Sequence, residues 1–93
     1  MMRSARHLII HGRVQGVFYR KWALRTARHL GLTGWVRNRA EGSVEAWIEG
    51  DPAALDAFIA EARRGPSAAN VVRIESTEGE ARHHQGFEQR PTA

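Results

Sequence analysis

Ile10-His11-Gly12-Arg13-Val14-Gln15-Gly16-Val17-Phe18-Tyr19-Arg20 is the stretch on which the reading of this chain turns. It starts in a short apolar run, crosses two glycines and ends on an arginine where a helical pattern begins. A strand, a glycine-bearing loop and a helix N-terminus in that order aim several backbone N–H groups at one anion. Arg20, closing the loop, adds a forked and permanently charged donor that suits phosphoryl oxygens. The stretch is neither a Walker loop nor a dinucleotide fingerprint, because GxxxxGKS/T and GxGxxG are both absent. Two glycines also occur in many strand-to-helix turns that bind nothing. The spacing of Gly12, Gln15, Gly16 and Arg20 is what favours an anion cradle.

Outward from this loop, the hydrophobic pattern predicts the elements. His7 to Gly12 reads as a short strand with Leu8 and Ile10 on one face. From Tyr19 to Leu30 the period is helical, with Ala23, Ala27 and Leu30 at i, i+4 and i+7 beside Trp22 and Leu24, and Gly31 follows as a stop. Leu32 to Asn38 and Ser43 to Glu49 read as strands joined by the short hairpin loop Arg39-Ala40-Glu41-Gly42. In the second of them Val44, Ala46 and Ile48 alternate with Glu45, Trp47 and Glu49. Asp51 can cap a second helix, Pro52 fits its first position, and Gly65-Pro66 stops it. Leu55, Phe58, Ile59 and Ala62 form its apolar stripe. Val71 to Glu75 is a further strand, and Phe87 anchors a possible short edge strand.

The resulting order, β-α-β-β-α-β, predicts an α+β, ferredoxin-like split βαβ sandwich. Both helices have a single apolar face and should cover one side of a four-stranded antiparallel sheet, with a short fifth strand at an edge. Ninety-three residues are expected to form one domain, 1–93, around one core.

Composition removes several functions. With no cysteine there is no disulfide scaffold, no thiol nucleophile and no cysteine-held metal. The five histidines, His7, His11, His29, His83 and His84, show no HxH or HExxH pattern with a carboxylate at ligand spacing, so neither a metal nor a cofactor is expected. His83-His84 falls in a polar loop and is expected to be solvated. The tryptophans Trp22, Trp35 and Trp47 are expected to serve packing. The net charge of +4 suits a small anion, but thirteen arginines and the single Lys21 are dispersed, with no basic run of a nucleic-acid tail. No apolar run could cross a membrane, and Leu8-Ile9-Ile10 is too short for a signal peptide, so a cytoplasmic monomer is the expectation.

The opening stretch resembles the first acylphosphatase signature, which runs apolar, any, Gly, any, Val, Gln, Gly, Val, any, Phe or Met, Arg. Only Tyr19 departs, standing where Phe or Met is usual. Gly34-Trp35-Val36-Arg37-Asn38, followed after three residues by Gly42-Ser43-Val44 and after five more by Gly50, is similar to the second signature without departure. The likeness extends through Gly31-Leu32-Thr33, Gly65-Pro66 and Gly86 to Thr92, leaving only the first six residues and the stretch 79–85 uninformative.

The resemblance implies the same fold and a hydrolase that splits acyl phosphates, which are carboxylic–phosphoric mixed anhydrides, into carboxylate and inorganic phosphate. It implies that Arg20 binds the phosphoryl group and that Asn38 orients the attacking water. Gln15, Gly16, Val17, Phe18, Tyr19 and Arg20 would supply backbone N–H groups, and phosphate would be both product and competitive inhibitor. Two alternatives are an RNA-binding module of the same fold and a non-catalytic phosphate-sensing domain. The strand Ser43–Glu49 lacks the glycine and interleaved aromatics of an RNA-binding strand and carries two glutamates, so specific nucleic-acid binding is not expected.

Overall fold

A computed structural model of the chain describes residues 3–93. The elements follow in the order β1 (Ser4–Arg13), α1 (Tyr19–His29), β2 (Thr33–Asn38), β3 (Val44–Gly50), α2 (Pro52–Ala62), β4 (Asn70–Gly79) and β5 (Phe87–Gln89). The strands make one sheet in the order β4-β1-β3-β2-β5. All neighbours are antiparallel except β2 and β5, which run parallel. The fold is the α+β ferredoxin-like sandwich that the element order predicts, with the fifth strand present.

Leu8 and Ile10 of β1, Val36 of β2, and Val44, Ala46 and Ile48 of β3 point to the helical side. There they meet Ala23 and Ala27 of α1 and Leu55, Phe58 and Ala62 of α2, all fully enclosed. Small alanines on α1 let its backbone approach the sheet, while the bulk comes from α2. Asp51 caps α2 by accepting from the Ala53 N–H at 3.1 Å, and Pro52 opens the helix.

Four expectations need correction. Strands β1 and β4 are each ten residues long, extending beyond 7–12 and 71–75, because they pair with one another along almost their whole length. Leu30 and Ile59 lie at the margin of the core and are only partly buried. A second, small cluster of Ala5, Trp35 and Trp47 occupies the opposite sheet face, so the apolar interior is not one body. That face also buries Glu49 completely.

The fourth correction concerns His84, which is held rather than solvated. The residues after β4 cross the open face, where the Glu49 carboxylate accepts from the Arg82 N–H at 2.6 Å, the His84 N–H at 3.0 Å and His84 Nδ1–H at 3.0 Å. Trp47 Nε1–H donates to the same carboxylate at 2.6 Å. His83 is exposed. The Arg82 guanidinium lies over the Trp47 ring, 4.3 Å from its centre. Trp22 packs on the other side, between Tyr19 and Phe58.

Candidate active site

The loop between β1 and α1 is shaped by what each of its residues does on either side. Strand β1 slips register against β4 between His11 and Gly12. Gly12 is required there because a Cβ would come within 2.1 Å of the Asn70 carbonyl oxygen. Its role is thus to let two strands approach. Val14 and Val17 drop into the core and anchor the loop from below. Gly16 has open space around it and a φ of 73°, so what it supplies is a left-handed turn.

Phe18 continues that turn at φ 63° and ψ 26°, an uncommon state for a residue with a side chain, costing on the order of 1 kcal/mol. It occupies the capping position of α1, with no side chain capping the helix. Consequently, among the described residues, the backbone N–H groups of residues 15–20 donate to no protein acceptor; the first helical bond runs from Trp22 N–H to Phe18 O. A row of unpaired N–H groups at the positive end of a helix dipole favours an anion by its electrostatics.

Arg20 and Asn38 line one cleft of about 460 Å³ with Gly16, Phe18 and Lys21. Arg20 sits in the first turn of α1, where a cation opposes the dipole unless an anion lies beside it. It enters none of the ion pairs among the described residues. Asn38 ends β2, paired in register with Val44, and its carbonyl accepts from the Ala93 N–H at 3.1 Å. Its half-buried side-chain amide makes no hydrogen bond within the described residues. Of the residues singled out from the sequence, Gly16, Phe18, Tyr19, Arg20 and Asn38 line this cleft, whereas Gln15 and Val17 belong to the same loop but do not line it, Val17 being turned into the core.

Two side chains in this region have roles that sequence reasoning missed. Gln15 uses more than its backbone: its Nε2 donates to the carbonyls of Arg39 at 2.8 Å and Ser43 at 2.9 Å, the two ends of the β2–β3 turn. No local signal marks those partners. Tyr19, the departure from the first signature, is buried with its hydroxyl donating to the Ala62 carbonyl at 2.7 Å. Burial pushes the phenol's pKa well above its ordinary value, so the group is a neutral donor here.

A loop of unpaired backbone N–H groups beside one arginine and one amide, on a ferredoxin-like sandwich, is chemically suited to handling a phosphoryl group by positioning and charge. The sequence model of the family described as Acylphosphatase matches residues 6–89. An acylphosphatase of Acidovorax sp. (strain JS42) is 55% identical over 87 residues, covering 94% of this chain and 90% of the relative. The crystal structure of an acylphosphatase from Bacillus subtilis superposes with a TM-score of 0.92 at 34% identity, covering 96% of this chain and 99% of that one. A full-length HypF, in a phosphate- and nucleotide-bound form, matches with a TM-score of 0.91 at 28% identity; 98% of this chain is covered but only 12% of the larger one. The chain belongs to the acylphosphatase family. It is an enzyme, a hydrolase that acts on the acid anhydride of acyl phosphates.

Proposed function

We propose that hydrolysis takes place in the cleft shared by Arg20 and Asn38, with the loop N–H groups of residues 15–20 and the Arg20 guanidinium holding the non-bridging phosphoryl oxygens. Asn38 holds a water in line with the bond to be broken, accepting from it and donating to it without titrating. The observation that carries this reading is the pairing, in one cleft, of a side-chain amide with no other partner and a row of unpaired N–H donors beside a cation.

The chemistry asks for little more. The leaving group is a carboxylate whose conjugate acid has a pKa of roughly 4, so it departs at neutral pH without a general acid. A loose phosphoryl transition state spreads charge over its equatorial oxygens, and preorganised donors stabilise that charge without reorganising. The water attacks phosphorus as the bridging P–O bond breaks, yielding carboxylate and inorganic phosphate. No step draws on a metal. Among the described residues no three His, Cys, Asp or Glu side chains gather as metal ligands.

The non-catalytic alternatives draw less support. The open sheet face, which an RNA-binding module would use, carries Glu45 and Glu49 and has arginines laid over both of its tryptophans. We also read the protein as a monomer.

The test is steady-state hydrolysis of benzoyl phosphate with and without EDTA, together with inhibition by inorganic phosphate. Turnover should be unaffected by chelator, phosphate should compete with substrate, and simple alkyl phosphate monoesters should be hydrolysed negligibly. Loss of activity on chelation that Mg²⁺ restores would overturn the metal-independent mechanism. Failure of phosphate to compete would overturn the assignment of the cleft.

A further inference from the structure

Only two large hydrophobic side chains among the described residues stand exposed, Phe18 and Val72. Phe18 is the more open, at 81%, and it lies on the rim of the cleft that Arg20 and Asn38 line. The cradle needs only the backbone of this residue, and a left-handed φ of 63° would suit glycine without strain. A single exposed aromatic ring is ordinary, but here it stands on a left-handed backbone that costs strain glycine would avoid, and it stands on the rim of the cleft. Strain and exposure meeting beside the chemistry point to a ligand group that covers the ring.

The substrate has one part the cradle does not use. That part is the acyl half, and a cleft of about 460 Å³ leaves room for it beyond one phosphate. We infer that the Phe18 ring is the platform on which the acyl group rests, so that it sets the enzyme's preference toward flat, apolar acyl groups. This rests on placing the reaction in that cleft. A ring stacked on a ring gains contact area and favourable quadrupole geometry, whereas an acetyl group is too small to cover the surface. The preference is felt as ground-state and transition-state binding alike, and so in KM more than in kcat.

The experiment compares benzoyl phosphate with acetyl phosphate in the wild type and in Phe18→Ala, Phe18→Gly and Phe18→Leu. The quantity read is the ratio of the two kcat/KM values within each variant, in which any shared change in the cradle cancels. The ratio should fall about five- to tenfold in Phe18→Ala and Phe18→Gly, with the change in KM, and less in Phe18→Leu. Phe18→Gly also relaxes the left-handed turn, so it covers the case in which the alanine variant folds poorly. Ratios equal to wild type in the alanine and glycine variants would overturn the inference while leaving the cleft assignment standing, provided phosphate still competes. Absence of phosphate competition against both substrates in the wild type would remove the cleft assignment and this inference together.

Discussion

The Gln15 side-chain amide donates to the carbonyl of Ser43 at 2.9 Å, across 28 residues of sequence, and so ties the β1–α1 loop to the hairpin that carries Asn38. The same nitrogen reaches Arg39 O at 2.8 Å. Both carbonyls also accept within the turn, Arg39 O from the Gly42 N–H and Ser43 O from the Arg39 N–H. Losing Gln15 therefore leaves no orphan acceptor there, and the structural cost should be small. Gln15→Leu is expected to cost about 1 kcal/mol in stability and to lower kcat about tenfold, because it frees the cradle to shift against the water-positioning amide. Gln15→Glu should be worse, since it points a carboxylate at two carbonyl oxygens. Kinetics with denaturant unfolding on both variants decide it; wild-type kcat in a folded Gln15→Leu would sink the positioning role.

Arg20 and Asn38 should fail differently. In the proposed mechanism Arg20 meets the phosphoryl group in ground and transition states, so Arg20→Ala should raise the phosphate Ki and lower turnover. Arg20→Lys should rescue poorly, as a point charge cannot reproduce the fork. Asn38 is proposed to meet only the water, so Asn38→Ala should reduce kcat by about 10²-fold or more with phosphate Ki near wild type. Circular dichroism checks folding, and a folded Asn38→Ala that keeps most of its turnover would show that another group aligns the nucleophile.

Tyr19 bridges the two helices from the start of α1. Ala62 ends α2, where carbonyls have no partner within the helix, and the Tyr19 hydroxyl satisfies this one at 2.7 Å in a buried setting. Tyr19→Phe leaves that carbonyl unsatisfied and should cost about 1–2 kcal/mol, a fall in Tm of about 5–10 °C by calorimetry. An unchanged Tm would mean that water or a shift of the helix end replaces the bond.

Glu49 predicts an acid limb to stability. Burial pushes its carboxyl up, but hydrogen bonds from Trp47, His84 and the Arg82 and His84 N–H groups outweigh this and hold its pKa at about 2. The folded value lies below the ordinary 4.5, so the anion's stabilisation is complete above that value and is lost as pH falls from about 4.5 toward 2. Glu49→Gln turns an amide N–H₂ toward donors and should cost about 2–4 kcal/mol at pH 7. The gap between wild type and variant should close as the solution is acidified, read from unfolding curves at pH 7 to 2.5. A gap constant across that range would contradict the role of the charge.

The order of elements, the two helix boundaries and the glycine turn of the β1–α1 loop were legible in the chain because each is a short-range matter. Alternation in residues 44–49, the Asp51-Pro52 cap and the left-handed turn at Gly16 act over a few residues, and the residues themselves carry the signal. The co-location of Arg20 with Asn38 was available only through the two signatures, since nothing in the seventeen residues between them encodes a distance. Tertiary structure alone decided the rest. Glu49 draws three of its four donors from 33 and 35 residues away, out of a stretch with no pattern of its own, and that buries a charge which alternation would place on an open face. The parallel pairing of β5 with β2, the full length of β1 and β4, and the two carbonyls that receive Gln15 are likewise set by partners remote in sequence. Hydrogen bonds and packing of that range depend on which surfaces the folded chain brings together, and no local propensity records them.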